Sequence, residues 1–230
     1  GKDQPLILDR FNLRIKPGQT LGILGPQGSG KSTLAQLITR FYEPSTGQIR
    51  FNGMDLQDYQ IQSLRQAVSL VQQDTFLFTS SIENNVLYGE PWAGEEKVIV
   101  AASRAQLHEH IDQLPSRYQT LIGERGLALS GGQRQRLNIS RTLILDAKIL
   151  IFDDSTSSID VATEQKIRER LKEVASERIT LIISHRLASL MHADQIVYLE
   201  NGRIVERGNH DDLMHLDGHY ARLYRLQTSF

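Results

Sequence analysis

Short apolar runs rich in β-branched residues alternate along the chain with amphipathic stretches, the pattern that a parallel sheet with helical crossovers writes into a sequence. The candidate strands are Thr20 to Leu24, Val68 to Val71, Ile149 to Phe152, Thr180 to Ile183 and Ile196 to Leu199. After the first strand, Leu34, Leu37, Ile38 and Phe41 fall at i, i+3, i+4 and i+7, which predicts a helix with one buried face. From Asp74 to Asp146 the signals are mainly helical, with a break at Gly89-Glu90-Pro91. This stretch reads as a helical sub-domain inserted into the sheet core. The expected division is a core of residues 1–73 and 146–230, which also carries the C-terminal helices, and an insert of residues 74–145. Asn52-Gly53 and Asn201-Gly202 sit between strand-like runs, where a tight hairpin turn requires positive φ, so antiparallel strands are expected beside the parallel ones. The fold class is therefore α/β, and no internal repeat or low-complexity segment interrupts it.

Composition narrows the picture. A chain of 230 residues can bury a full core as one domain, or one domain with a sub-domain. With 40% hydrophobic and 23% charged residues it reads as folded, and a net charge of -1 argues against a nucleic-acid partner. No apolar run approaches the roughly 18 residues of a membrane span, and the N-terminus lacks the form of a signal peptide. The absence of cysteine removes disulfides and thiolate metal sites. The first residue is Gly1 and not Met, so the chain is expected to be a portion of a longer polypeptide.

The strongest chemical signal is Gly25-Pro26-Gln27-Gly28-Ser29-Gly30-Lys31-Ser32, followed by Thr33. It fits G-x-x-x-x-G-K-[ST] and stands after a strand and before a helix, where a phosphate-binding loop must stand. Glycines let backbone N–H groups approach phosphate oxygens, and the helix N-terminus adds a favourable dipole. Lys31 would contact the β- and γ-phosphates, and the Ser32 hydroxyl would ligate Mg²⁺. Ile149-Leu150-Ile151-Phe152-Asp153 is an apolar run ending in a carboxylate, as expected of a buried parallel strand opening on a nucleotide crevice. Taken alone, an acid after an apolar strand is commonplace. Beside the phosphate loop, Asp153 becomes a specific candidate for the same Mg²⁺. These two motifs point to a P-loop nucleotide triphosphatase.

Leu129-Ser130-Gly131-Gly132-Gln133 opens a second helical stretch, and Ser-Gly-Gly at a helix start is a second anion-binding device. It also reads as a serine-capped helix. One chain thus has two candidate phosphate sites and one lysine loop, so the second site is expected to serve another molecule's nucleotide. With these residues the chain resembles the ABC ATPase family, and the resemblance covers almost its whole length. It implies a RecA-like core with an inserted helical sub-domain. It also implies head-to-tail pairing of two such domains, with ATP and Mg²⁺ between the phosphate loop of one and residues 130–133 of the other.

Further positions follow from the resemblance. Gln73 resembles the glutamine that contacts Mg²⁺ or the attacking water. The run Ser157-Ser158-Ile159-Asp160 resembles the loop that communicates across the dimer, Asp160 reading equally as a helix N-cap. His185 resembles the switch histidine that reaches the γ-phosphate. The run from Phe76 to Val86, Gly123-Glu124-Arg125-Gly126, and the tail from His210 to Gln227 with Tyr220, Leu223 and Leu226 at helical spacing are similar to exporters. A transmembrane domain upstream in the same polypeptide is implied, with the chain at the cytoplasmic face of a membrane. Two positions depart from the family. No aromatic residue precedes Phe11, where exporters carry a tyrosine that stacks on adenine; Phe11 itself is expected in a strand-like core stretch. Asp154 stands where the family has a catalytic glutamate, as in the degenerate half of heterodimeric exporters.

Two functions stay open. One is a hydrolysing export motor in which Asp154, His185 and Gln73 are catalytic. The other is a nucleotide-gated dimerisation module with little hydrolysis of its own, partnered with a complete half. DNA-repair ATPases share the signature but insert long coiled coils, and none is present.

Overall fold

The computed structural model describes residues 6–73, 75–123, 128–173 and 177–229. In chain order the elements are β1 (Thr20–Leu24), α1 (Lys31–Ile38), β2 (Arg50–Phe51), β3 (Met54–Asp55), α2 (Ile61–Ala67), β4 (Val68–Val71), β5 (Ser80–Ser81) and α3 (Ile82–Leu87). There follow α4 (Glu95–Arg104), α5 (His108–Asp112), β6 (Leu121–Ile122), α6 (Gly131–Leu143), β7 (Ile149–Asp153), α7 (Val161–Glu173) and β8 (Ile179–Ile183). The chain closes with β9 (Gln195–Glu200), β10 (Arg203–Gly208), α8 (His210–Leu216) and α9 (His219–Thr228). A six-stranded sheet runs β10-β9-β1-β8-β7-β4. Only β10 is antiparallel, and it joins β9 through the expected turn, Asn201 and Gly202 having φ of 48° and 75°. Asn52 and Gly53, at 50° and 83°, make the same turn between β2 and β3.

All five expected strands form, and β7 shows why they read as unbroken apolar runs. Ile149 and Ile151 enter one core cluster with Leu21, Ile23, Leu34, Leu181 and Val197. Leu150 and Phe152 enter another with Val71, Val98, Leu137 and Leu143. Side chains alternate between faces, and because both faces are buried every position is apolar. The helices α3, α4 and α6 share the second cluster with β4 and β7, so they pack directly on the sheet. A third cluster, with Leu24, Leu187, Leu190, Ile196, Leu213 and Tyr220, docks α8 and α9.

Register fixes the working edge. Ile23 is opposite Ile183, Asp153 is opposite Ile183, and Val71 is opposite Phe152. The segments starting at Gly25, Asp154, Ser184 and Gln72 therefore leave the sheet along one side.

Two expectations need correction. Phe41 lies beyond α1, is 58% exposed and stacks under the Arg65 guanidinium, because the helix ends at Ile38 and Arg40 takes a φ of 54°. The segment around Phe11 forms no strand; Phe11 is half-buried against the cluster of Leu21 and Ile23. The short β5–β6 pair was not expected, since two-residue strands carry no periodicity.

Glu206 of β10 is buried and accepts from the backbone N–H groups of His219 and Tyr220, the latter at 3.0 Å, satisfying orphan donors at the start of α9. Glu206→Ala should destabilise the fold by about 1–3 kcal/mol, and Glu206→Gln by less, since the amide keeps one acceptor. Denaturant unfolding checks both.

Candidate functional site

The phosphate loop begins where β1 ends. Gly25 has φ 152°, and a Cβ there would lie 2.0 Å from the Leu199 carbonyl oxygen, so β9 leaves no room for a side chain. The β9–β10 turn braces the loop, the Gly202 N–H donating to the Ser29 carbonyl at 3.2 Å. Pro26, Gln27 and Gly28 are exposed, Gly30 leads into α1 from the left-handed region, and Thr33 is half-buried. The start of α1 has neither a side-chain cap nor an acid in its first turn, so its free N–H groups face the loop uncompensated.

Lys31, the first residue of α1, is 6% exposed. Its Nζ donates to the Gly25 and Pro26 carbonyls, each at 2.9 Å. Burial pulls this ammonium below its usual range, and Asp154 and Asp153 oppose the shift. Burial raises Asp153, while a hydrogen bond with the Ser32 side chain and the Lys31 charge pull it back. Ser29 Oγ is buried without a hydrogen-bond partner. A dehydrated cation, an uncapped helix start and an unpartnered hydroxyl on one glycine-rich loop suit a multiply charged oxyanion. The hydroxyl of Ser32 beside a carboxylate is the hard-oxygen chemistry that Mg²⁺ takes. The residues present thus fit a nucleotide phosphate with its metal. Among the described residues no group of three His, Asp or Glu could hold a metal, and His108, His110 and His215 bond instead to Tyr118, Gln133 and the Asp211 carbonyl.

Asp154 follows β7 with φ 44°, a left-handed conformation that aspartate tolerates better than most residues. Its N–H donates to the Ile183 carbonyl at 2.8 Å. Its Oδ1 accepts from the His185 N–H at 3.0 Å, and its Oδ2 lies 3.3 Å from His185 Nε2. The structure therefore joins Asp154 and His185, and brings the Asp154 carboxylate near Asp153 and Lys31. Gln73 is exposed two residues past β4, on the same edge of the sheet.

Residues 130–133 stand elsewhere. Ser130 caps α6 in a capping box, its Oγ accepting from the Gln133 N–H at 3.2 Å while Gln133 Oε1 accepts from the Ser130 N–H at 2.8 Å. Among the described residues none of these hydrogen bonds reaches the phosphate loop. Gly131 and Gly132 lie against Ser158. One turn on, Gln135 is buried and uses both ends of its amide, donating to Ser157 Oγ at 3.1 Å and accepting from the Ser158 N–H at 2.8 Å. From the other side Arg186 donates to the Thr156 and Ile159 carbonyls at 3.2 and 3.0 Å and pairs with buried Glu164. Asp160 Oδ1 accepts from the Thr163 N–H at 2.9 Å and caps α7, as read. Gln135 and Arg186 were missed by sequence reasoning.

Of the exporter-like segments, Glu124, Arg125 and Gly126 lie outside the described residues. Near Phe76, Arg141 donates to the Phe76 carbonyl at 2.9 Å and to Asn85 Oδ1 at 2.7 Å, and lies over the rings of Phe78 and Tyr88. Tyr220 is fully buried in α9, Leu223 is partly buried, and Leu226 is 66% exposed.

A Cβ on Gly132 would sit 2.9 Å from the Ser158 carbonyl oxygen, closer than contact allows. Gly132→Ala gains about 1 kcal/mol of helix propensity but must displace that backbone, which costs about 1–3 kcal/mol. A net loss of stability, read by denaturant unfolding, is expected.

Comparison with known proteins agrees with this geometry. The sequence pattern of the family described as ABC transporter matches residues 8–157. Over 227 residues, 99% of this chain and 39% of the relative, the chain is 47% identical to the uncharacterized ABC transporter ATP-binding protein YknU of Bacillus subtilis (strain 168). It is 47% identical over 221 residues, 96% of the chain and 38% of the relative, to the ATP-dependent lipid A-core flippase of Legionella pneumophila (strain Paris). A structure of a bacterial Atm1-family ABC exporter with ATP bound superposes with a TM-score of 0.93 at 41% identity, covering 99% of this chain and 40% of that one. The chain thus spans about two fifths of the length of the relatives it matches. Among the described residues no helix is long and apolar enough to cross a membrane. A parallel sheet whose C-terminal edge carries a phosphate loop, at such identity over nearly every residue, places the chain in the ABC transporter family.

Proposed function

We propose that the chain is the ATP-binding motor domain of an ABC exporter, which closes on a second such domain with ATP between them and so drives a membrane domain of the same polypeptide. The observation that carries this reading is the dehydrated Lys31 ammonium on a phosphate loop, beside Asp153, Asp154 and His185. The names of the relatives, a lipid A-core flippase and a putative multidrug export ATP-binding/permease protein, agree with export. Residues 1–73 and 146–230 form the nucleotide-binding core, and residues 74–145 the insert that presents Ser130, Gly131, Gly132 and Gln133 to the partner's ATP.

Each residue has a task in this reading. The loop from Gly25 to Ser32 with Thr33, through its N–H groups and Lys31, holds the phosphates. Ser32, Asp153 and Gln73 would hold Mg²⁺. Bound there, the metal would neutralise charge developing on the phosphate oxygens. Asp154 orients and polarises the attacking water, and His185 supports the γ-phosphate. Lys31→Ala should weaken ATP binding at least tenfold, a loss of about 1.4 kcal/mol or more, in titration with a fluorescent ATP analogue. Unchanged affinity would refute the assignment.

A second reading is favoured by one observation: the Asp154 carboxylate is engaged by the N–H and ring of His185, and it is one methylene shorter than the glutamate of the family. Displacement of about 1 Å can cost about 100-fold in rate, so this half would be a slow site that clamps ATP. Asp154→Glu should then raise steady-state ATPase by about 10-fold or more, at protein concentrations that support the dimer. Fast turnover in the unaltered protein, with nothing added by glutamate, would make it an ordinary motor.

A further inference from the structure

The segment between β8 and the turn at Leu187 carries His185 outside any ladder, yet each of its N–H groups is paired. Ser184 donates to the Ile23 carbonyl at 3.2 Å, His185 to Asp154 Oδ1 at 3.0 Å, and Arg186 to Ser184 Oγ at 3.0 Å. The fourth, from Leu187, goes to Gln227 Oε1 at 3.0 Å, and Gln227 Nε2 donates to the His185 carbonyl at 2.8 Å. A primary amide carries a donor and an acceptor on one plane, and a carbonyl with the N–H two residues on presents the complement. The two backbone partners also fix which end of the amide is nitrogen. His185 is thus held from both sides, by Asp154 at its N–H and by Gln227 at its carbonyl.

Gln227 belongs to the last turn of α9, whose placement does not depend on this contact. Tyr220 is fully buried in the cluster that contains Leu187 and Leu190, and Glu206 caps the helix start. The His185 side chain is 57% exposed, so packing does little to aim its ring. Its direction is inherited from the backbone and from Asp154.

We propose that Gln227 is a positioning residue for His185, through which the C-terminal helix sets the aim of the imidazole. The proposal rests on reading His185 as the group that faces the γ-phosphate. Gln227 is exposed, and two bonds at the surface add little to global stability, whereas a shift of about 1 Å in a catalytic group can cost about 100-fold in rate. Turnover, not folding, is where its loss should register.

The test uses Gln227→Leu and Gln227→Glu in the intact protein; glutamate keeps an acceptor for Leu187 and loses the donor to His185. Both should lower kcat by about 5-fold or more, with KM for ATP within about twofold and the unfolding midpoint nearly unchanged. In a His185→Ala background Gln227→Leu should have little further effect, because the group it aims is gone. Amide exchange at Leu187 should quicken in Gln227→Leu. If His185→Ala is slow and Gln227→Leu turns over normally, the proposal falls while the reading of His185 stands. If His185→Ala turns over normally, the reading falls and takes the proposal with it. An equal loss from Gln227→Leu with and without His185 would also overturn it, as a loss acting elsewhere.

Discussion

Everything at the site depends on the pairing of β1 with β8 and of β8 with β7. Parallel strands bring like ends together, so this register delivers Gly25, Asp154 and Ser184 to one edge although they are remote in sequence. Slipping β7 by one residue would exchange its two faces, sending Ile149 and Ile151 into the cluster meant for Leu150 and Phe152. It would also carry Asp153 away from Ser32 and Lys31. The fit of each β7 side chain to its own cluster is therefore the same constraint that sets the distance between cation and carboxylate.

The segment from Asp154 to Asp160 depends on its neighbours in a different way. It has little apolar content to bury, and side chains from two directions hold it: Gln135 from α6 and Arg186 from the segment after β8. Since Gly131 and Gly132 rest on Ser158, the start of α6 and this segment form one unit within the chain.

The legibility of these features in the sequence followed their physics. The strands were readable because burial on both faces demands unbroken apolar runs. The two Asn-Gly turns were readable because positive φ admits few residue types. The phosphate loop was readable because backbone approach requires glycine at fixed spacing. Phe41 misled because an apolar residue at helical spacing does not reveal that the chain has left the helix at Arg40. Gln135, Arg186 and Gln227 were illegible for one reason: each acts on groups contributed by residues remote in sequence, as any polar side chain can. Asp154 was noticed as a departure from a family, but its engagement with His185 needed coordinates.

The Lys31 ammonium has a kinetic consequence. It is already stripped of bulk solvent and satisfied by two carbonyl oxygens of its own loop. An arriving phosphate has no tight hydration shell to strip from that nitrogen; it has to outbid two neutral dipoles. A full negative charge does so easily and an uncharged hydroxyl does not. In the function proposed above, the loop would therefore screen visitors by charge before any contact with the base, and the solvent rearrangement that ordinarily slows ion pairing would fall on the ligand's side alone.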